Sequence, residues 1–357
     1  MTPAELIERI VHAHKVEDVF GPDVRDEDQL SAAFQAMAVL LHPDRPGQTA
    51  AAAEAMALLT TWRAQARTKL KRGMWGKSAV TIKSKHTYTD VTAFTKGDIS
   101  DVYIADYTEW DGKKQQAAIK LVRDQADIDL ADKEASVLKE LWSPTKDGHF
   151  WAYLPRLVES TKLTVGGKVR RANVVSFHST RVTLDEVICA HPQGLDLRHA
   201  AWMWRRLLEV LTWTHRQGIV HGAVVPKHML IHPDNHGLRL IDWSYAVRTE
   251  KQEVIKAIPS GHIIDYPPEV LQKRPATPAT DIFMAGLVMR DLLSGYGNKL
   301  PNSVPRAVIA ILDACTLLGP VRRYRDAWML YEDFAKVLQD LFGPPKFVQF
   351  TMPTKGA

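Results

Sequence analysis

Cysteine is nearly missing from this chain of 357 residues: Cys189 and Cys315 are the only two. They lie far apart and form no CxxC pair. That excludes a disulfide-built scaffold and a dithiol or zinc-ribbon centre, and it fits a reducing, cytoplasmic compartment. Long apolar runs are missing too. No stretch reaches the roughly 18–20 apolar residues that a bilayer crossing needs. Charges interrupt every apolar run of the N-terminal MTPAELIERIVHAH, so neither a secretory leader nor a membrane anchor is expected. Net charge is small, +5, and gives no electrostatic reason to expect a polyanion. Acidic residues are absent from Ala55 to Thr89, which holds Arg63, Arg67, Lys69, Lys71, Arg72, Lys77, Lys83 and Lys85. Aromatic residues do not interleave with these cations as in a single-strand-binding surface, so nucleic acid is not expected. Cations at a helix C-terminus favour the macrodipole and account for the first few.

What is present is apolar residue in quantity, 45% of the chain, enough for sizeable cores in two or three domains. Residues 1–72 show helical spacing and no convincing strand. PAELIERIVHAH has helical periodicity, and in DEDQLSAAFQAMAVLL the residues Leu30, Phe34, Met37 and Leu41 share one face. HPDRPGQ then stops the helix. A third helix follows, with Met56, Leu59 and Trp62 as its inward face. Two amphipathic helices joined through His42-Pro43-Asp44 and preceded by DVFGPD resemble the J-domain of DnaJ-type co-chaperones. The resemblance implies a helical-hairpin fold and contact with a DnaK-class chaperone through His42, Pro43 and Asp44. The family's basic positions on the preceding helix read Gln35, Ala36 and Leu40 here, which puts that contact in doubt and leaves a scaffold for another protein partner as the alternative. A second HPD, His232-Pro233-Asp234, sits in what reads as a hairpin turn.

Residues 73–80 read as a basic connector, and from about 81 the pattern changes to strands. DVYIADYTEWDGKKQQAAIKLV reads strand, turn, strand, and LADKEASVLKELW reads as a helix. AAIK followed by that helix, IVHGAVVPKHMLIHPDNHGLRLIDWSYA, YPPEVL and DIFMAGL keep the order and spacing of protein-kinase motifs, so residues 81–345 resemble a bilobal protein kinase. The expected fold class is α+β: an N-terminal all-α, J-like helical hairpin followed by the bilobal kinase-like domain. Its small lobe is expected over about 81–177 and its large lobe over 178–345, with a tail from 346 to 357.

By resemblance, Lys120 is the phosphate-contacting lysine, Glu134 its ion-pair partner, Asp242 the metal-binding acid, and Gly97 the one surviving glycine of the phosphate loop. Thr95 and Ser100 occupy the other glycine positions. Glu269 is the structural acid, to be paired with Arg323 or Arg325. Trp243 takes the motif phenylalanine's slot beside Leu138 and His221. Two departures decide the expected chemistry. Ala223 replaces the catalytic aspartate, and His228 replaces the asparagine that holds a second Mg²⁺. His221, His228, His232 and His236 match no zinc spacing, and a packed His221 with three loop histidines is the simpler expectation. The resulting expectation is a pseudokinase adaptor that binds ATP, and Mg²⁺ through Asp242, with little phosphoryl transfer. The alternative is an active atypical Ser/Thr protein kinase using Asp234, Asp242 or His228 as base.

Overall fold

The structure, a computed structural model, describes residues 2–13, 15–41, 50–71, 73, 75, 81–143, 145–165, 167–259, 261–297 and 299–353. His42, Pro43, Asp44 and most of the 73–80 connector lie outside the described residues. The chain divides into two compact units, residues 1–95 with 103–107 and residues 96–102 with 108–357.

The described part of the first unit begins with four helices: α1 (Pro3–Val11), α2 (Val16–Phe20), α3 (Glu27–Leu41) and α4 (Ala50–Lys71). A capping box starts α1, with the Thr2 hydroxyl accepting from the Glu5 N–H at 3.2 Å and the Glu5 carboxylate accepting from the Thr2 N–H at 2.7 Å. The short α2 goes beyond the three helices expected; it ends at Gly21, whose φ of 92° few other residues adopt. Leu6, Ile10, Val19, Leu30, Leu41 and Leu59 are buried together. The inward face of α4 is carried by Leu59 with Ala52, Ala55 and Ala66, whereas Met56 and Trp62 are only partly buried. Periodicity searches weight bulky residues, and here small ones let the helices approach closely. Two cations of the acid-free stretch find partners inside this unit: Lys69 pairs with Glu17 at 2.6 Å and Arg67 with Glu27. The Trp75 indole donates to the Gly21 carbonyl at 3.1 Å. Strand β1 (Ile82–Lys83) pairs antiparallel with the following β2 (Thr87–Lys96).

The division between units falls near the junction of β2 and β3 (Ser100–Thr108), so the connecting turn belongs to the second unit. There β4 (Lys114–Val122), β5 (Leu157–Val165) and β6 (Lys168–Ser176) form antiparallel pairs, β4 and β5 both on β6. Helix α5 (Ile128–Leu141) buries Leu130, Val137, Leu138 and Leu141. A larger helical part follows: α6 (Leu184–Ala190), α7 (Leu197–Arg216), α8 (Pro268–Leu271), α9 (Pro278–Ser294), α10 (Arg306–Cys315) and α11 (Ala327–Phe342). The strand β7 (Val182–Thr183) and the pairs β8 (Ile219–Val220) with β11 (Val247–Arg248) and β9 (Met229–His232) with β10 (Gly237–Leu240) complete it. The second HPD lies in the turn between β9 and β10, with Asp234 exposed.

The long helix α7 is buried around much of its circumference, as its sequence suggests. Trp204 is fully buried, donates to the Ala285 carbonyl at 2.8 Å and meets Phe334 of α11 edge-on at 4.8 Å. The C-terminal segment packs as a strap. Phe350 is buried against the rings of His191, His199 and Trp202, and Phe347 stacks on His236, which stacks on Trp202 at 4.0 Å. His236 and His228 are therefore buried, a correction to the expectation that only His221 would be. Their covers come from distant sequence. None of the helices among the described residues is long and apolar enough to cross a membrane.

Candidate nucleotide site

Strand alternation aims Lys120 of β4 toward α5, and one turn of helix places Glu134 opposite it. Their charged atoms meet at 2.6 Å. Lys120 Nζ also donates to Asp242 Oδ1 at 3.1 Å. Asp242 sits in the left-handed region, φ 65°, which Asp tolerates better than most residues. All three side chains are largely removed from water. Burial alone would lower the Lys120 pKa, but the Asp242 and Glu134 carboxylates outweigh it and raise it. Burial would likewise raise Asp242; the charges of Lys120 and His228 outweigh it and hold the carboxyl well below its usual range.

Asn173 fixes the glutamate. It faces Lys120 across the β4–β6 ladder, and its amide donates to Glu134 Oε2 at 2.9 Å and to the Ala131 carbonyl at 2.8 Å. Helix α5 is tied further to the segment after Asp242 by Lys133–Glu253 at 2.8 Å and Arg248–Glu140 at 2.8 Å. These contacts hold α5 inward, the arrangement in which a lysine–glutamate pair can grip phosphates.

The degraded phosphate loop is held by other means. Arg123 donates to the carbonyls of Ser100 at 2.7 Å, Gly97 at 2.9 Å and Asp98, and its N–H reaches the Ile99 carbonyl at 3.0 Å. One side chain thus staples a turn that has lost two glycines. Ile99 packs with Val122, Leu130, Tyr245 and Ala223, so the position of the missing catalytic aspartate lies in an apolar cluster.

The segment 221–228 is anchored from below by Asp281 of α9, which accepts from the N–H groups of His221 at 2.8 Å and Gly222 at 2.9 Å and contacts His215 at 2.9 Å. Gly222 has φ 75°, and a Cβ there would lie 2.6 Å from the Tyr245 carbonyl, so the turn requires glycine. His221 meets the Trp243 ring edge-on at 4.6 Å. His228 Nδ1 lies 2.9 Å from the Ala223 carbonyl, while Nε2 faces Asp98 at 3.3 Å and Asp242 at 3.7 Å. Burial would lower the His228 pKa; the two carboxylates outweigh it and raise it.

The structure thus brings together Lys120, Glu134, Asp242 and His228, with Gly97 in the stapled loop above. It leaves Asp234 in a distant exposed turn. Glu269 pairs with Arg323, not Arg325. Asp98, Arg123 and Asn173 were missed in the sequence. Their contacts are long-range, and no local signal in the sequence marked them. ATP fits the paired lysine. Mg²⁺ fits Asp242 but not His228, because a hard cation that prefers oxygen meets an imidazole where the family offers an amide oxygen.

Comparison with known proteins agrees with this geometry. A Dictyostelium discoideum protein described as a probable serine/threonine-protein kinase is 28% identical over 205 residues, 56% of this chain and 36% of that protein. Serine/threonine-protein kinase PknL of Mycobacterium tuberculosis is 26% identical over 163 residues, 39% of this chain and 41% of PknL. Calcium/calmodulin-dependent protein kinase type 1 of Caenorhabditis briggsae is 26% identical over 92 residues, 26% of each chain. The chain therefore spans less than half the length of these relatives. The family match begins at residue 88, after the N-terminal helices, and the J-like resemblance gains no support from it. Residues 88–314 match the protein kinase domain, and with the lysine, glutamate and aspartate of that fold in contact, the chain belongs to the protein kinase family.

Proposed function

We propose that the chain binds ATP through Lys120, Glu134 and Asp242 and works as a serine/threonine-kinase-type protein whose phosphoryl transfer is slow. The carrying observation is Lys120 held between two buried carboxylates in the inward arrangement of α5. Bound ATP would supply the phosphoryl group; the chain's residues supply grip and orientation. Kinship with serine/threonine kinases supports an active phosphotransferase over a pure adaptor. One observation favours the second reading, a pseudokinase: Ala223 can neither orient a hydroxyl nor accept its proton, and its surroundings are apolar. A general base contributes about 10²–10⁴-fold, so transfer is expected roughly a thousandfold below the 1–100 s⁻¹ of ordinary kinases.

Calorimetric titration with ATP, beside a radiolabelled transfer assay, tests this. Lys120→Ala is expected to weaken ATP binding by about 10–100-fold, the worth of a charge-assisted hydrogen bond. Undiminished affinity in that variant would remove the proposed site. Transfer at ordinary kinase rates, lost in Asp242→Asn, would establish the active enzyme. The finer reading of the N-terminal unit is a co-chaperone surface at His42-Pro43-Asp44, supported by the packed helices α3 and α4 on either side. The full chain should then raise the ATPase rate of a DnaK-class protein and His42→Gln should abolish the effect; no stimulation by the unaltered chain disproves it.

A further inference from the structure

We infer that Asp98, His228 and Asp242 form a binding site for a transition-metal dication of mixed nitrogen–oxygen preference, such as Zn²⁺ or Mn²⁺, in place of the Mg²⁺ pair of ordinary kinases. The inference extends the nucleotide-site reading, because Asp242 belongs to both, but the site is built from protein atoms alone.

Each residue presents one donor atom, and all three atoms lie within 4.8 Å of one another. The separations are those that coordination would give. His228 Nε2 is 3.3 Å from Asp98 Oδ2 and 3.7 Å from Asp242 Oδ2. Metal–ligand bonds of roughly 2.0–2.2 Å set at the tetrahedral angle put neighbouring donors about 3.4 Å apart. Asp98 Oδ2 is shielded from water, with His228 Nε2 beside it at 3.3 Å. An anionic oxygen in that state needs a positive neighbour.

The ring of His228 is oriented as metal-bound imidazoles are. Its Nδ1–H donates to the Ala223 carbonyl at 2.9 Å, which fixes the tautomer and turns the Nε2 lone pair toward the two carboxylates. A neutral Nε2 lone pair facing two carboxylate oxygens is repulsive, and either a proton on Nε2 or a cation between the three groups relieves it. The two oxygens of Asp242 divide their tasks: Oδ1 takes the Lys120 ammonium, and Oδ2 faces the cluster. Asp98 is positioned by the Arg123 staple on the carbonyls around it. Imidazole with carboxylates suits zinc, iron or manganese, and affinity at such a site should rise from Mn²⁺ to Zn²⁺. Mg²⁺ dehydrates reluctantly and gains little from an imidazole.

The test uses the full chain stripped with a chelator and titrated with Zn²⁺, Mn²⁺ or Mg²⁺ alone, without nucleotide. One equivalent is expected, Zn²⁺ binding tighter than Mn²⁺ and Mn²⁺ at least tenfold tighter than Mg²⁺. Bound Mn²⁺ should show nitrogen coupling by pulsed electron paramagnetic resonance, lost in His228→Asn, which restores the asparagine of ordinary kinases. Asp98→Asn, on the loop, should weaken Zn²⁺ and Mn²⁺ at least tenfold. Lys120→Ala should weaken ATP binding without abolishing the nitrogen coupling of bound Mn²⁺, which separates this inference from the nucleotide reading. No binding of any of the three ions would overturn it. So would Mn²⁺ without nitrogen coupling, unchanged affinity in Asp98→Asn, or Mg²⁺ binding as tightly as Mn²⁺. A protonated His228 bridging the two carboxylates gives the first of these results.

Discussion

Replacing Arg323 by alanine is expected to lower the stability of the kinase domain by about 3–5 kcal/mol, the cost of breaking a buried ion pair from one side. Arg323 forks onto Glu269, Nη1 to Oε1 at 2.6 Å and Nη2 to Oε2 at 3.0 Å, with both side chains buried. The same guanidinium donates to the carbonyls of Leu317, Ala279 and Leu318 at 2.6, 3.0 and 3.1 Å and lies over the Phe283 ring. Alanine would strand a buried carboxylate and three acceptors at once. Lysine keeps the charge but not the fork, so Arg323→Lys should recover only part of the loss. The double change Arg323→Met with Glu269→Leu should cost less than Arg323→Ala, because no lone charge is left inside. Denaturation midpoints in urea check the series. A midpoint unchanged in Arg323→Ala would show that the pair carries no stability.

The second large effect is a loss of stability in mild acid, centred on His221. Its two nitrogens are committed to the neutral ring: Nε2–H donates to the Ile241 carbonyl at 3.0 Å, and Nδ1 accepts from the Ala223 N–H at 3.2 Å. A second proton would set N–H against N–H. Burial lowers the His221 pKa from the usual 6.5 to about 4, against the pull of Asp281 and Asp242, and His228 lowers it further. The unfolded imidazole takes up its proton near the ordinary value, and the folded one does so only near 4. Between those limits the unfolded state binds more protons, so stability falls as pH falls. Each pH unit is worth about 1.4 kcal/mol, giving about 3 kcal/mol across the window. His228, with its pKa raised, acts in the opposite sense: its contribution is present at low pH and fades as pH rises. The informative quantity is therefore the difference between the unaltered chain and His221→Leu. That difference in unfolding free energy should change by about 3 kcal/mol between pH 6.5 and 4. Parallel stability curves would show that His221 titrates alike in both states.

The arrangement of this site was legible where local rules act. The kinase-like AAIK motif and the helix after it were enough to set Lys120 against Glu134, since each lies on a regular element. The resemblance likewise put His221 and Asp242 in their motifs, but that Asp281 anchors the turn at His221 and Gly222 is visible only in the structure. Other contacts depend on which strand lies beside which. Asn173 meets Glu134 only because β6 pairs with β4, and nothing in RANVVS marks that asparagine. Arg123 reads as a solvated cation after a strand until the loop carbonyls converge on it. The choice between Arg323 and Arg325 turns on the direction of the backbone after a short turn, which composition does not encode. In the N-terminal unit the alanines of α4 carry the contact face, and alanine signals helix without signalling a side.

The packing of α11 has a practical consequence for how the domain can be cut. The family match ends at residue 314, before α11 begins at Ala327. Yet Phe334 of α11 covers the indole of Trp204, and both are fully buried. A fragment trimmed to the matched span would bare a tryptophan face at the centre of its largest helix. Aromatic side chains bury about 150–250 Å² each, so the exposed face would be adhesive as well as destabilised. The working boundary for expression lies past Phe350, where the strap closes over Trp202, and shorter fragments should be recovered as aggregates.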